Sequence, residues 1–178
     1  MSALDACLTI AELKDLARRR VPKMFFDYAD SGSWTESTYR ANEHDFAKIL
    51  LRQRVAVNME GRTLATDMLG EKISMPVALA PTGLTGMQHA DGEIKAARAA
   101  EKFGVPFTLS TMSICSIEDV AEHTTKPFWF QLYVMRDRKF IERLIDRTKA
   151  AKCSALVDRK STRLNSSHIP LSRMPSSA

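Results

Sequence analysis

Residues 74–83 read SMPVALAPTG, and the interpretation of the whole chain starts from this stretch. The apolar run from Met75 to Ala80 is too short for a typical helix and predicts a strand buried on both faces. Pro81 has no N–H to donate, so we expect the strand to end there. Gly83 has no Cβ, which allows its backbone to approach a flat ligand closely. The stretch predicts either the binding edge for a cofactor or an ordinary strand followed by a loop.

Strands and helices alternate in the sequence that follows. Apolar strands bounded by turn residues and helices of 3.6-residue periodicity predict a parallel sheet with helices outside it. Either an open doubly wound sheet or a (β/α)₈ barrel begins in this way. The predicted strands are 77–80, 106–109, 128–131 and 155–157, and the predicted helices are 92–103, 117–121 and 138–151.

Two observations favour the barrel. The sequence contains neither G-x-G-x-x-G nor G-x-x-x-x-G-K-[ST], the usual support for a dinucleotide or P-loop sheet. Polar or permissive residues follow three of the predicted strands, at 81–83, 110–112 and 131–133, and the functional residues of barrels collect at strand ends. The predicted fold is α/β, comprising N-terminal helices and about the first half of a TIM (β/α)₈ barrel.

We divide the chain into three segments on this basis. Residues 1–74 form a helical and hairpin segment, 75–157 the partial barrel, and 158–178 a tail. Thr9 and Glu12 have capping-box spacing and predict the start of the first helix. Further helices are expected at 23–29 and 36–45, and a hairpin at 64–73.

The composition excludes several classes of protein. Hydrophobic residues make up 44% and charged residues 26%, as in globular domains, and no apolar run reaches the roughly 18 residues of a membrane span. The N-terminus has no secretory signal pattern. The cysteines, Cys7, Cys115 and Cys153, are odd in number and scattered, which predicts reduced thiols in a cytoplasmic protein and no metal site.

Residues 158–178 differ from the rest of the chain. They are rich in Ser and Pro and hold four basic residues against one acidic residue, so they carry +3 of the net charge of +5. The remaining +2 gives no reason to expect nucleic-acid binding. The tail lacks apolar periodicity and is predicted to be disordered. It resembles the in-frame translation of sequencing-adapter DNA, so we expect it to be non-native; the alternative is a basic nucleic-acid arm.

Four blocks of sequence occur in an order that resembles the FMN-dependent 2-hydroxy-acid oxidases and dehydrogenases, which include glycolate oxidase and bacterial L-lactate dehydrogenase. The resemblance covers about residues 8–157. It implies a TIM barrel with FMN as cofactor, an L-2-hydroxy acid (foremost L-lactate) as substrate, and a quinone, cytochrome or oxygen as electron acceptor. The blocks are PKMFFDY at 22–28, SMPVALAPTG at 74–83, TLST at 108–111 and FQLYV at 130–134.

The resemblance implies flavin contacts for five residues. Pro81, Thr82 and Gly83 match the backbone turn that lies along the flavin ring. Ser110 and Gln131 match the side chains that bind the pyrimidine edge, and a hydroxyl and a carboxamide can both donate and accept there. Without the resemblance, Ser110 and Gln131 would be expected only to cap strand ends.

The resemblance implies substrate contacts for three more residues. Tyr28 matches the tyrosine that holds the substrate carboxylate, and Tyr133 the tyrosine near the substrate hydroxyl and flavin N5. Met112 lies where it would shape the pocket over the substrate side chain. On the residues alone, Tyr28 would be expected to be a half-buried helix tyrosine with a solvated hydroxyl. Tyr133 would equally well be a packing residue at the rim of the core.

The family's catalytic base is a histidine in a His-Gly-Gly-Arg-like block, and this sequence contains no such block. Tyr133 is therefore the one catalytic residue that can be assigned, and we expect activity from the full-length parent but not from this chain alone. The parent is expected to be a homo-oligomer, cytoplasmic or peripheral at the inner membrane. The alternatives are another FMN-binding TIM-barrel oxidoreductase and a non-catalytic half-barrel that associates with a partner.

Overall fold

The structure is a computed structural model that describes residues 3–158 and the backbone of 171–173. Its contacts divide the chain into two compact units, and the boundary in the sequence lies between Arg62 and Thr63. Within the described residues, no helix is long and apolar enough to cross a membrane. Apart from residue 158 and the backbone of 171–173, the tail lies outside the described residues, so its disorder and non-native origin stay predictions.

The N-terminal unit is helical. It contains α1 (Ile10–Arg20), α2 (Lys23–Ala29) and α3 (Ser37–His44), followed by a 3₁₀ turn at Asp45–Lys48. The predicted capping box is confirmed, because the Glu12 N–H donates to Thr9 Oγ1 over 3.2 Å and the Thr9 N–H donates to Glu12 Oε2 over 2.9 Å.

A polar cluster ties the three helices of this unit together. Tyr39 at α3 donates its hydroxyl to Asp30 Oδ1 over 2.8 Å, and the Lys14 ammonium of α1 forms an ion pair with the same carboxylate. The Lys14 hydrogen bond, with a smaller contribution from Tyr39, lowers the pKa of Asp30. The end of α2 is thereby held against both neighbouring helices.

The second unit begins with a hairpin and continues with alternating helices and strands. The hairpin turns through Leu69 and Gly70, both with positive φ, as the predicted turn requires. The elements are β1 (Thr66–Met68), β2 (Glu71–Ile73), α4 (Thr85–Gln88), α5 (Gly92–Phe103), β3 (Thr108–Ser110), α6 (Ile117–Glu122), β4 (Trp129–Leu132), α7 (Arg138–Ala150), β5 (Ala155–Asp158) and β6 (Leu171–Arg173).

The main sheet has the order β3-β4-β5-β6. Strands β3, β4 and β5 are parallel, so the predicted alternation of parallel strands and outer helices is confirmed. The backbone of β6 pairs antiparallel with β5. Helix α5 has the predicted bounds and ends at Gly104, whose φ of +83° places it in the left-handed region that favours glycine at a helix end.

The two faces of the sheet carry different side chains because successive residues of a strand point to opposite sides. One face packs against helices α5, α6 and α7 and includes Leu109, Phe130 and Leu132, all buried. The other face carries Trp129, Ala155 and Val157, which pack against the hairpin turn and Ala78. This alternation holds Gln131 on the same side as Trp129, opposite the helical layer.

The stretch 74–83 departs from prediction. Residue Leu79 forms a single parallel bridge with Phe107, and no longer strand is present there. Val77 is 45% exposed and Leu79 37% exposed, so the prediction of a strand buried on both faces is wrong. The segment is exposed because it lies at the edge of the sheet. Within the described residues, β3 is the one strand beside it, so its other edge stays uncovered.

Candidate functional site

The first element of the candidate site is a buried pair at the carboxyl ends of β3 and β4. Ser110 and Gln131 are register partners, 3% and 1% exposed. Ser110 Oγ donates to Gln131 Oε1 over 3.2 Å and accepts the Met112 N–H over 3.1 Å. Ser110 therefore caps the strand end, as the simpler interpretation expects, and also orients the Gln131 carboxamide.

The Gln131 carboxamide has an unused donor. Its Nε2 is buried and has no hydrogen-bond partner among the described residues. Buried polar groups are almost always paired, and leaving one unpaired costs about 1–3 kcal/mol. An amide donor held rigidly by Ser110 suits the carbonyl-bearing pyrimidine edge of a flavin, so these residues fit FMN.

Thr111 joins the loops that follow β3 and β4, a role that the sequence did not reveal. Its N–H and its Oγ1 both donate to the Gln131 carbonyl, over 3.0 and 2.5 Å. The same Oγ1 accepts the Tyr133 N–H over 3.1 Å. The backbone on both sides of Leu132 is thereby tied to the end of β3. The TLST block at 108–111 could have indicated this role. A threonine at a strand end, however, can form many different contacts, so the block did not predict it.

The turn at 81–83 lies against the loop after β3. The Leu84 N–H donates to the Met112 carbonyl over 2.9 Å. A Cβ on Gly83 would lie 3.1 Å from the Met112 Cβ, closer than ordinary contacts. Glycine therefore allows the close approach of two loops here. Its predicted contact with a flat ligand, together with those of Pro81 and Thr82, stays a prediction.

Glu93 was missed by sequence reasoning although it is only 1% exposed. Its Oε1 accepts the N–H groups of Gly86 and Ile114 over 3.1 and 3.0 Å. Burial raises the pKa of Glu93, but the N–H donors and the Cys115 thiol outweigh this, so the pKa lies below its ordinary value. The sequence pattern did not predict this burial, because an acidic residue in the first turn of a helix is normally solvated and interacts favourably with the helix dipole.

The three predicted substrate residues occupy different settings. Met112 is 49% exposed on the loop beside Gly83, and Tyr133 is partly buried after β4. Tyr28 is 69% exposed on α2 and belongs to the N-terminal unit, so the site described above consists of residues from the second unit. The substrate roles of all three stay predictions.

A cleft of about 310 Å³ lies elsewhere in the second unit. It is lined by residues that precede β3 and β4, including Phe107 and Phe128, together with Glu101 and Lys126. It therefore opens at the amino ends of the strands. Functional residues of barrels lie at the carboxyl ends, so this cleft is not the candidate site.

Comparison with known proteins identifies the family. The family FMN-dependent dehydrogenase matches residues 17–160. L-lactate dehydrogenase of Ectopseudomonas mendocina is 53% identical over 141 residues, which are 79% of this chain and 37% of that protein. L-lactate dehydrogenase of Acinetobacter baumannii is 52% identical over 141 residues, again 79% of this chain and 37% of that protein. The chain spans little more than a third of these curated relatives.

Solved structures agree with the sequence comparison. A soluble mutant of the membrane-associated (S)-mandelate dehydrogenase from Pseudomonas putida matches with a TM-score of 0.80 at 34% identity, over 87% of this chain and 44% of that one. A mandelate oxidase matches with the same TM-score and identity, over 85% and 46%. These neighbours are TIM-barrel flavoenzymes, so the predicted fold class is confirmed, with an open partial sheet in the described residues. The chain belongs to the family of FMN-dependent dehydrogenases.

Proposed function

We propose that the protein to which this chain belongs oxidises an L-2-hydroxy acid, L-lactate foremost, to the 2-oxo acid. The observation that carries this proposal is the buried Gln131 carboxamide, oriented by Ser110 and left with a free donor at the strand ends. The identity of 52–53% to L-lactate dehydrogenases supports lactate over the larger mandelate named for the structural neighbours.

The residues of this chain have distinct parts in the proposal. Gln131 Nε2 donates to the pyrimidine edge of the flavin, while the 81–83 turn lies beside the ring. Tyr28 binds the substrate carboxylate and Tyr133 contacts its hydroxyl, with Met112 as a wall of the pocket. The two electrons that leave the hydroxyl-bearing carbon are accepted by FMN when it is bound.

We propose further that this chain alone does not turn over. Removal of the hydroxyl proton needs a general base close to the substrate. The family's His-Gly-Gly-Arg-like block, which supplies that base, is not found in this sequence.

The test compares two proteins with L-lactate and an electron-accepting dye. One is the 178-residue chain, and the other is a chimera that joins residues 8–157 to the remainder of the Ectopseudomonas mendocina L-lactate dehydrogenase. The chimera should bind FMN stoichiometrically and oxidise L-lactate, and the chain should do neither. Turnover by the chain alone would refute its inactivity. A chimera that binds FMN but prefers glycolate or mandelate would refute lactate as the substrate.

Two variants of the chimera test the carboxamide. Gln131→Met keeps the length of the side chain but removes the donor, and we expect FMN affinity to fall about tenfold or more, as for a lost buried hydrogen bond. Thr148→Val is the matched control, because it removes a hydrogen bond of a fully buried side chain on α7, in the helical layer. Equal FMN affinity in the two variants would contradict the assigned role.

The remaining parts of the proposal concern the full-length protein. We propose a homo-oligomer in the cytoplasm or at the face of the inner membrane, which passes electrons to a quinone, a cytochrome or oxygen. Rates with a quinone analogue, cytochrome c and oxygen distinguish these acceptors, and sedimentation gives the oligomeric state. A monomer in sedimentation would contradict the homo-oligomer.

A further inference from the structure

Two loops of the candidate site are joined by one buried carboxylate. The first loop, defined here as residues 81–86, contains the turn assigned to the flavin and runs into the first two residues of α4. The second, residues 111–116, contains Met112. Glu93 Oε1 accepts one N–H from each loop, those of Gly86 at 3.1 Å and Ile114 at 3.0 Å. The two donors lie 28 residues apart in the chain, so no local interaction brings them together.

The backbone around Glu93 is closely packed. A Cβ on Gly92 would lie 2.7 Å from the Thr85 carbonyl oxygen, so α5 begins in close contact with α4. A Cβ on Gly86 would lie 2.6 Å from the Ile114 Cβ, so the two loops touch where Glu93 bridges them. Leu84 and Asp91, on either side of α4, have φ of 57° and 56°, conformations that non-glycine residues rarely adopt. Such backbone persists only where surrounding contacts hold it.

We propose that Glu93 is a positioning residue, which sets the spacing between the 81–83 turn and Met112 and so the shape of the site at the flavin. This inference rests on the proposed function, because the spacing of the two loops affects the reaction only if FMN binds beside them. The coupling of the loops is nevertheless a property of this chain without any flavin. A direct backbone link already exists, because the Leu84 N–H donates to the Met112 carbonyl over 2.9 Å. A change at Glu93 should therefore reach Met112 and Gly83.

The experiment is an NMR titration of the ¹⁵N-labelled 178-residue chain, with ¹³C-methyl-labelled methionine. At neutral pH the carboxylate accepts both N–H groups, and protonation weakens both bonds. Because the pKa of Glu93 lies below its ordinary 4.5, the Gly86 and Ile114 amide signals should shift together at a midpoint below that value. The Gly83 amide and the Met112 methyl should follow with the same midpoint. The Cys115 thiol also acts on this carboxylate, but its pKa is raised, so it titrates far above this range.

Two variants separate positioning from support of the fold. Glu93→Gln keeps one oxygen acceptor but cannot titrate, so the four signals should no longer move together in acid. Glu93→Asp is one methylene shorter and should release at least one N–H, raising amide exchange at Gly86 or Ile114 about tenfold. Signals of Gly83 and Met112 that stay still while Gly86 and Ile114 titrate would overturn the proposal, and so would the same titration in Glu93→Gln. Failure of the chimera to bind FMN would instead count against the proposed function, because this titration needs no flavin.

Discussion

Gly86→Ala provides a direct measure of how tightly the two site loops are packed. The added Cβ would lie 2.6 Å from the Ile114 Cβ and within 3.0 Å of both its γ-carbons. Ordinary carbon contacts are about 3.5–4.0 Å, so the loops would have to separate by about 1 Å. Overpacking of this kind costs about 1–3 kcal/mol.

The sign of the effect distinguishes packing from helix propensity. Gly86 lies inside α4, and its φ is not in the left-handed region, so alanine there should otherwise stabilise the helix by about 0.5–1 kcal/mol. With the clash included, we expect a net loss of about 1–2 kcal/mol in the free energy of unfolding. Gly86→Ala should instead be neutral or stabilising in an Ile114→Gly background, where the opposing Cβ is gone.

The assay is urea unfolding in a Trp34→Phe background. Trp34 is 97% exposed in the N-terminal unit, so its replacement should be harmless, and Trp129 then remains as the sole tryptophan, buried in the sheet of the second unit. The difference between the two backgrounds should be about 2 kcal/mol, well above the roughly 0.5 kcal/mol expected for independent sites. A Gly86→Ala variant as stable as its parent in both backgrounds would refute the close contact between the loops.

Three further predictions concern the second unit. Leu109→Ala removes a fully buried side chain of β3 and should lower the free energy of unfolding by about 2–5 kcal/mol in the same urea assay. A loss under about 1 kcal/mol would contradict the place of Leu109 in the core. Glu118→Gln breaks the two-pronged pair with Arg147, whose hydrogen bond lowers the pKa of Glu118 to about 2. A lowered pKa stabilises the fold above the unfolded value near 4.5, and this stabilisation is lost as the pH falls through about 2. The variant should therefore lose at most about 1 kcal/mol at pH 7, because the pair is about half exposed, and clearly less at pH 2. An equal loss at both pH values would contradict the pair. Burial raises the pKa of Cys153 to about 12, so iodoacetamide should label this thiol only after unfolding. The more accessible Cys7 should react in the native chain. Equal labelling rates for the two cysteines would contradict the burial of Cys153 and show that the sheet opens readily.

Much of the fold was predictable because its signals are local. The capping box at Thr9 and Glu12, the hairpin turn at Gly70 and the glycine after α5 each specify backbone conformation within a few residues. The bounds of α5 were predicted to the residue for this reason. The strand starts shifted by one or two residues, since the ladder depends on the partner strand as well as on the apolar run.

The candidate site was predictable in part. The sequence blocks located Ser110 and Gln131 at neighbouring strand ends, and the structure brings them into contact. Thr111 and Glu93 were missed, because a threonine after a strand and a glutamate in the first helical turn are common at exposed positions. Their importance lies in distant backbone N–H groups and carbonyls that no local pattern encodes.

The sequence alone determined the order of helices and strands from α5 to β5, their parallel alternation and the family, because periodicity, caps and turn residues act over a few residues and the family blocks are short. Only the tertiary structure decided which polar groups are buried and what they bind. Glu93 is a solvated helix residue by pattern, but it becomes a buried acceptor because Ile114, 21 residues later, returns beside it. In the same way Leu79 is apolar enough for a core strand, yet it stays partly exposed because a strand is buried by its neighbours and not by its own composition.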